Sequence, residues 1–550
     1  MQAENFVNIA AHLPVRARSM PYHQGVVFPQ ARDRVGRVAY THLTFSQLER
    51  NSNILASGLE QFNVFRGVKV ALMVKPCLEF FSLTFALFKI GAIPVFIDPG
   101  MGVKNLKKCL TEAMPDVFIG IPKAHIARIL LRWPGVKQLI TVGKARLWGG
   151  VSLDEVRAAG TPDYELTPTR SDEVAAILFT SGSTGVPKGA VYTHGVFASQ
   201  VDILKRIYQI KPGEVDLATF PLFALFAPAL GMTAIIPDMD ATRPALVDPT
   251  RIIEAIENFG VTNMFGSPAL LNTVSRYGQA HQVMLPSLKR VISAGAPVQP
   301  AIMERFCSML DDSCQIHTPY GATESLPVCT IGSNEILGDT AAWTHRGKGV
   351  CVGKPVAEIE LRIIRITDDP IEDWSEQLTV NTGEIGEIVV KGPMVTTRYY
   401  NREASTKLAK IRDADGEVRH RMGDLGYLDE QGRVWFRGRK AHRVITEKTT
   451  LYTVPCEGVF NAHPKVYRTA LVGIPNGSGT HRPVICVELE QDAVGADKAT
   501  LTEELLALAR AYDHTRGIDT LLFHPAFPVD IRHNAKIFRE KLAVWAAKKL

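Results

Sequence analysis

The chemistry that can be read most directly lies in eleven consecutive residues, Phe179-Thr180-Ser181-Gly182-Ser183-Thr184-Gly185-Val186-Pro187-Lys188-Gly189. They follow an apolar run, 174–178, that reads as a buried strand, so hydroxyls, glycines and one lysine emerge together as a turn at its exit. That composition is a phosphate cradle: glycines let backbone N–H groups approach an anion, hydroxyls add donors, and Lys188 adds a compact positive charge. A P-loop would need glycine immediately before the lysine and Ser or Thr immediately after it. Pro187 and Gly189 stand there instead. A plain Gly/Ser surface turn is the competing reading, and the length and strand context of the segment argue against it. Three further motifs bear charge: Tyr320-Gly321-Ala322-Thr323-Glu324, Met422-Gly423-Asp424, and Asn534-Ala535-Lys536. Each in isolation would be unremarkable: a turn and helix cap, a turn, and a solvated surface lysine.

Taken together and in order, from about Leu43 to the C-terminus, these motifs resemble those of the adenylate-forming superfamily of acyl-CoA synthetases and luciferases. The resemblance implies an ATP and Mg2+ site and assigns its residues. Thr180, Ser181, Gly182, Ser183, Thr184, Gly185 and Lys188 would hold phosphate, and Gly295, Ala296 and Pro297 would form the adenine-side turn. Tyr320, with Gly321 and Ala322, would pack on adenine, Thr323 would bind phosphate, and Glu324 with Thr184 would hold magnesium. A carboxylate is a suitable ligand for that hard cation. Asp424 would accept both ribose hydroxyls, Phe436 and Arg439 would contact the nucleotide, and Lys536 would reach the α-phosphate and the carboxylate. The implied catalytic set is Lys536, Thr184 and Glu324, with His442 as a further member.

Departures from the family pattern bear on the acyl acceptor. Pro221-Leu222-Phe223-Ala224 lacks the family's usual gating histidine, and Arg398 stands where glycine usually precedes tyrosine. The segment 438–450 has His442 in an aspartate place and lacks the glycine of the strand that receives pantetheine. An internal nucleophile then becomes attractive: a substrate 3-hydroxyl attacking its own activated carbonyl to close a β-lactone, a proximity problem that a shaped pocket can solve. In this the chain resembles the lactone-forming branch that serves bacterial long-chain olefin synthesis. That implies a 2-alkyl-3-hydroxy fatty acid substrate and association with the other enzymes of that pathway. His442 would be either a base toward the hydroxyl or a solvated hinge residue. The alternatives are a fatty-acyl-CoA or fatty-acyl-AMP ligase and a nucleotide-binding protein without catalysis.

The elements that must position these residues alternate between strand and helix. Helical spacing begins at Leu43 and continues through Leu59; strands are expected at 68–74, 93–97, 117–120 and 138–142, with a helix at 78–90. Such alternation predicts an α/β protein with parallel or mixed sheets. The same pattern recurs at 249–259, 261–265, 290–293, 299–310 and 314–317, with a helix from Ala269, and gives way to barrel-like or antiparallel strands at 359–366 and 387–391. A boundary near Gly438 would separate a large adenylation domain, 1–438, from a small mobile α+β domain, 439–550, with strands at 469–472 and 484–489 and helices from Lys498 and Lys536. Lys440 would be the hinge. The uncharged run 217–236 is long enough for a membrane span, but Pro221, Pro228 and Gly231 favour a strand-turn-helix lining an apolar pocket.

Composition supports a multidomain globular protein: 550 residues, 46% hydrophobic, 21% charged. A net charge of +6 suits anionic small molecules, and no basic stripe interleaved with aromatics points to nucleic acid. Eight cysteines without a CxxC pair argue against zinc and disulfide frameworks and for a reducing cytoplasm. The first residues read as no secretory signal. Residues 543–550 are apolar and basic enough for peripheral contact with an anionic membrane.

Overall fold

The computed structural model describes residues 6–133, 135–144, 147–180, 187–477, 479–530 and 536–550. Two seven-stranded sheets dominate the first two-thirds of the chain. One runs in the order Val151–Ser152, Gln138–Thr141, Val117–Gly120, Lys69–Met73, Ile93–Ile97, Val174–Thr180, Lys188–Thr193, parallel except for its last pair. The other runs Gln315–His317, Arg290–Ile292, Asn263–Phe265, Val215–Ala218, Thr233–Ile235, Gln24–Arg32, Val38–Thr44, again with an antiparallel last pair.

Local sequence explains why the helices start and stop where they do. Phe45–Gln61 begins at Thr44, whose hydroxyl accepts from Gln47 N while the Gln47 side chain accepts from Thr44 N, a reciprocal cap. Leu78–Ile90 ends at Gly91, which takes the left-handed conformation (φ +76°) that glycine adopts without strain. This helix is buried almost all round between the two sheets. The run 217–236 is broken into Val215–Ala218, the short helices Pro221–Ala224 and Phe226–Leu230, and Thr233–Ile235. Among the described residues no helix is long and apolar enough to cross a membrane.

The alternating segments after residue 350 form an antiparallel sheet in the order Val350–Cys351, Val434–Arg439, Val418–Leu428, Gly386–Lys391, Glu360–Ile364, with Lys410–Arg412 paired to the long strand. Its hydrogen-bonded path is open at both ends. Residues beyond 444 build cores of their own around the hairpin Val466–Pro475/His481–Leu489 and the parallel strand Leu521–Phe523, covered by Thr453–Phe460, Lys498–Arg510 and Arg539–Ala547. Several sequence boundaries shift, and the helix expected to open at Leu43 begins at Phe45, since Leu43 and Thr44 close the strand Val38–Thr44. The helix expected from Lys536 begins at Arg539, because Ile537 is taken up by a bridge to Val529. The helix expected over 299–310 spans Pro300–Cys307, its last turn giving way to the bonds Met309 N to Phe306 O and Leu310 N to Cys307 O.

Candidate active site

One cavity of about 1150 Å³ runs from the C-terminal ends of the second sheet to the segments carrying Lys440 and Lys536. Gly295, Ala296 and Pro297 line it from the loop after Arg290–Ile292, with Gly295 at φ +95°. Tyr320–Ala322 is the first strand of a hairpin with Ser325–Thr330, and a Cβ on Gly321 would come within 2.5 Å of Ser325 O. That close approach requires glycine.

The hairpin sets the carboxylate of Glu324 in place through partners from distant segments. Tyr399 Oη donates to Glu324 Oε1 at 2.5 Å, and Thr396 N donates to Glu324 O at 2.8 Å. Tyr192 Oη donates to Thr323 O at 2.5 Å. Burial, and then the Glu324 charge, hold the Tyr399 phenol well above its usual range, so it remains a donor. Lys188, first residue of Lys188–Thr193, places Nζ 5.1 Å from the Tyr399 ring centroid. Burial lowers its pKa and Glu324 opposes that shift.

Asp424, from the long strand Val418–Leu428, accepts Tyr320 Oη on Oδ2 at 2.7 Å, and Arg439 Nη1 lies 3.0 Å from Oδ1. Burial raises the Asp424 pKa, while Arg439 and Tyr320 pull the other way. The Phe436 ring stands 6.0 Å from that of Tyr320, tilted by 42°. Thus Glu324, Asp424, Phe436, Arg439, Lys188 and Lys536 all face one cavity. Thr180 closes its strand, whereas Ser181, Gly182, Ser183, Thr184 and Gly185 lie outside the described residues. His442 is not solvated: its side chain is 12% exposed and lines the cavity, and burial with the charges of Arg539, Arg439 and Lys536 pushes its pKa down to about 3.

Several supporting residues carried no signal in the sequence. Tyr399 sits in Arg398-Tyr399-Tyr400, which is stitched to the edge of the first sheet by Val191 N to Arg398 O and Tyr400 N to Gly189 O, at 3.2 and 2.8 Å. Buried Lys410 donates to Thr396 O; desolvation pushes its pKa down to about 7, with Glu324 opposing. Both act from sites remote in sequence. Where the gating histidine is missing, Ala224 is fully buried and Phe223 packs edge-on against Phe265 at 4.7 Å. The apolar end of the cavity takes Phe85 and Phe88 from Leu78–Ile90, Phe197 and Leu204 from His194–Ile207, and Phe220 and Phe226 from the broken run. Near the starts of neighbouring strands a polar row, Asp216, Asn263, Arg290 and Gln315, stands in register across the sheet, and Asp216 and Asn263 line the deep end of the cavity. Asn263 Nδ2 donates to Asp216, and burial lifts the Asp216 carboxyl to about 7.

A cavity with a polar end of carboxylates, lysines and aromatic rings, continuous with an apolar end, is shaped for a small molecule with a charged head and an apolar tail. The chain belongs to the AMP-binding enzyme family, whose model matches residues 22–400. It is 50% identical over 548 residues to the olefin beta-lactone synthetase of Xanthomonas campestris, covering 98% of each chain. It is likewise 50% identical over 551 residues to that of Stenotrophomonas maltophilia, covering 99% of this chain and 98% of the relative. The solved amide bond synthetase McbA from Marinactinospora thermotolerans shares the fold, with a TM-score of 0.78 at 21% identity over 98% of this chain and 99% of that one.

Proposed function

We propose that this protein activates a long-chain 2-alkyl-3-hydroxy fatty acid with ATP and closes the acyl-adenylate to a β-lactone. The observation that carries this reading is identity of 50% to two olefin beta-lactone synthetases across nearly the whole chain. In the first step a carboxylate oxygen attacks the α-phosphorus and pyrophosphate leaves. In the second the 3-hydroxyl oxygen attacks the acyl carbon, AMP leaves, and the hydroxyl proton passes to a base or to water.

The first step collects negative charge at the α-phosphorus, so cations aimed there stabilise its transition state. Lys188 and Lys536, which share the cavity, would do this, together with the loop hydroxyls Ser181, Ser183 and Thr184. Tyr320 and Phe436 would flank adenine, Asp424 would accept the ribose hydroxyls, and Arg439 would hold Asp424 in its charged form. Glu324 has one carboxylate oxygen engaged by Tyr399, and its other oxygen would serve magnesium, a hard cation suited to a carboxylate, with Thr184 as the proposed second ligand. Bound there, the ion would neutralise phosphate charge. The apolar end would fix the alkyl chains and so press the 3-hydroxyl toward its own carbonyl.

Residues 1–438 and 439–550 would act as two domains moving about Lys440, whose Nζ donates to Thr367 O at 2.7 Å and lies 3.1 Å from Glu387. The enzyme would work in the cytoplasm and associate with the other enzymes of olefin synthesis. Incubation with ATP, Mg2+, a 2-alkyl-3-hydroxy acid and coenzyme A tests the reading. A sulfur-free β-lactone with stoichiometric AMP and pyrophosphate is expected; a thioester as the main product would overturn it in favour of an acyl-CoA ligase.

A further inference from the structure

Positive charge is concentrated in one part of the chain. Between residues 103 and 147 there are nine Lys/Arg against two acids, a larger excess than the +6 of the entire protein. Both acids are already engaged, Glu112 by Arg402 at 2.7 Å and Asp116 by Lys137 at 3.0 Å.

The helices Val103–Ala113 and Pro122–Leu130 cover the same side of the first sheet, sharing a core with Phe118 and Trp133. The second helix is anchored on its inner face by His125, which stacks on Trp148 at 4.7 Å and reaches Ile140 O at 3.1 Å. Its outer face is apolar as well. Ile126, Ile129 and Leu130, spaced to lie together on a helix, are 50%, 50% and 76% exposed. Leu147 nearby in the chain is 95% exposed, and Lys104, Lys107, Lys108, Lys123, Arg132 and Lys144 are exposed along the same stretch of chain. No other helix among the described residues exposes three large aliphatic side chains at this spacing.

We propose that this face docks the enzyme on the surface of an anionic lipid bilayer. The lysines and arginines would lie at headgroup level, and Ile126, Ile129 and Leu130 would enter the acyl boundary. Basic charge alone would fit nucleic acid, but the phosphate backbone that dominates its affinity rewards charge and not a row of exposed aliphatic side chains. A lipid surface rewards both features at once, apolar insertion and attraction to anionic headgroups. The C-terminal segment 543–550 is a poorer anchor. The helix Arg539–Ala547 turns Leu542 and Ala546 into its own core.

Sedimentation of the full-length protein with phosphatidylcholine vesicles, with and without phosphatidylglycerol, tests the proposal. Binding is expected only with phosphatidylglycerol, and less of it at high salt. The triple change Ile126→Ser, Ile129→Ser, Leu130→Ser should lower the partition coefficient roughly tenfold or more. Lys104→Gln, Lys107→Gln and Lys108→Gln together should lower it by about fivefold per lysine. Both variants should release pyrophosphate normally with a short, water-soluble 3-hydroxy acid, which separates docking from folding and from the reaction. No binding to anionic vesicles, or equal binding by wild type and the lysine variant, would overturn the proposal. So would a vesicle-free complex with an acidic protein that both variants abolish.

Discussion

Glu324 illustrates how the residues of the site depend on partners that hold them. Its carboxylate is fixed by Tyr399 and its backbone by Thr396, so Glu324→Gln should keep its hydrogen bond and its fold while losing the charge a hard cation needs. Pyrophosphate release should fall by roughly a hundredfold or more. In the same assay Lys536→Ala should abolish release from ATP and acid yet spare closure of a supplied 3-hydroxyacyl-adenylate, followed by NMR. Full release by either variant would remove that residue from the adenylation site. His442 stands differently: surrounded by Arg539, Arg439 and Lys536, it is neutral but disfavours a proton. Unchanged lactone closure by His442→Ala would remove it as a base.

At the scale of elements, the strand Gly386–Lys391 carries a buried acid that ties three segments together. Glu387 accepts Arg421 Nη2 at 2.6 Å and Lys440 Nζ at 3.1 Å, and Arg421 also donates to Thr367 O at 2.6 Å and Asp369 O at 2.7 Å. The Glu387 and Arg421 side chains are 1% and 2% exposed. Glu387→Leu would strand both cations, and a loss of about 3–5 kcal/mol is expected in denaturant unfolding. The strand carrying Glu387 was legible in the sequence, but its partners Arg421 and Lys440 were not, because neither lies near it in the chain. Helices such as Leu78–Ile90 and Pro249–Phe259 were legible to the residue, since capping and periodicity are local.

For the molecule as a whole, the polar row beneath the acyl end makes stability depend on pH. Asp216 is neutral when folded up to about 7 but ionises near 3.8 when unfolded. The folded state therefore holds the extra proton in that window, and stability falls as pH rises through it, by up to about 4 kcal/mol. Buried His194, pushed down to about 4, has the opposite sign: its contribution is lost as pH falls from 6.5 through 4. Asp216→Asn should therefore raise the melting temperature more at pH 8 than at pH 5. An equal effect at both pH values would contradict a neutral Asp216. Asp216 lies one residue before the run 217–236, so the run pointed to a pocket without showing that its deep end is polar.

The sequence by itself determined the alternation of strands and helices, the order of the motifs at 179–189, 293–297, 320–324 and 422–429, and the apolar nature of the 217–236 run. All of these depend on interactions within a few residues or on motif spacing along the chain. Only the tertiary structure decided that Glu324 is held by Tyr399, Asp424 by Tyr320 and Arg439, and that Asp216, Asn263 and Arg290 stand side by side. It likewise decided that Ile126, Ile129 and Leu130 face outward. Parallel strands bring together residues whose separation in sequence is set by the crossover helices between them, and a side chain's charge or exposure depends on that assembled neighbourhood rather than on its own segment.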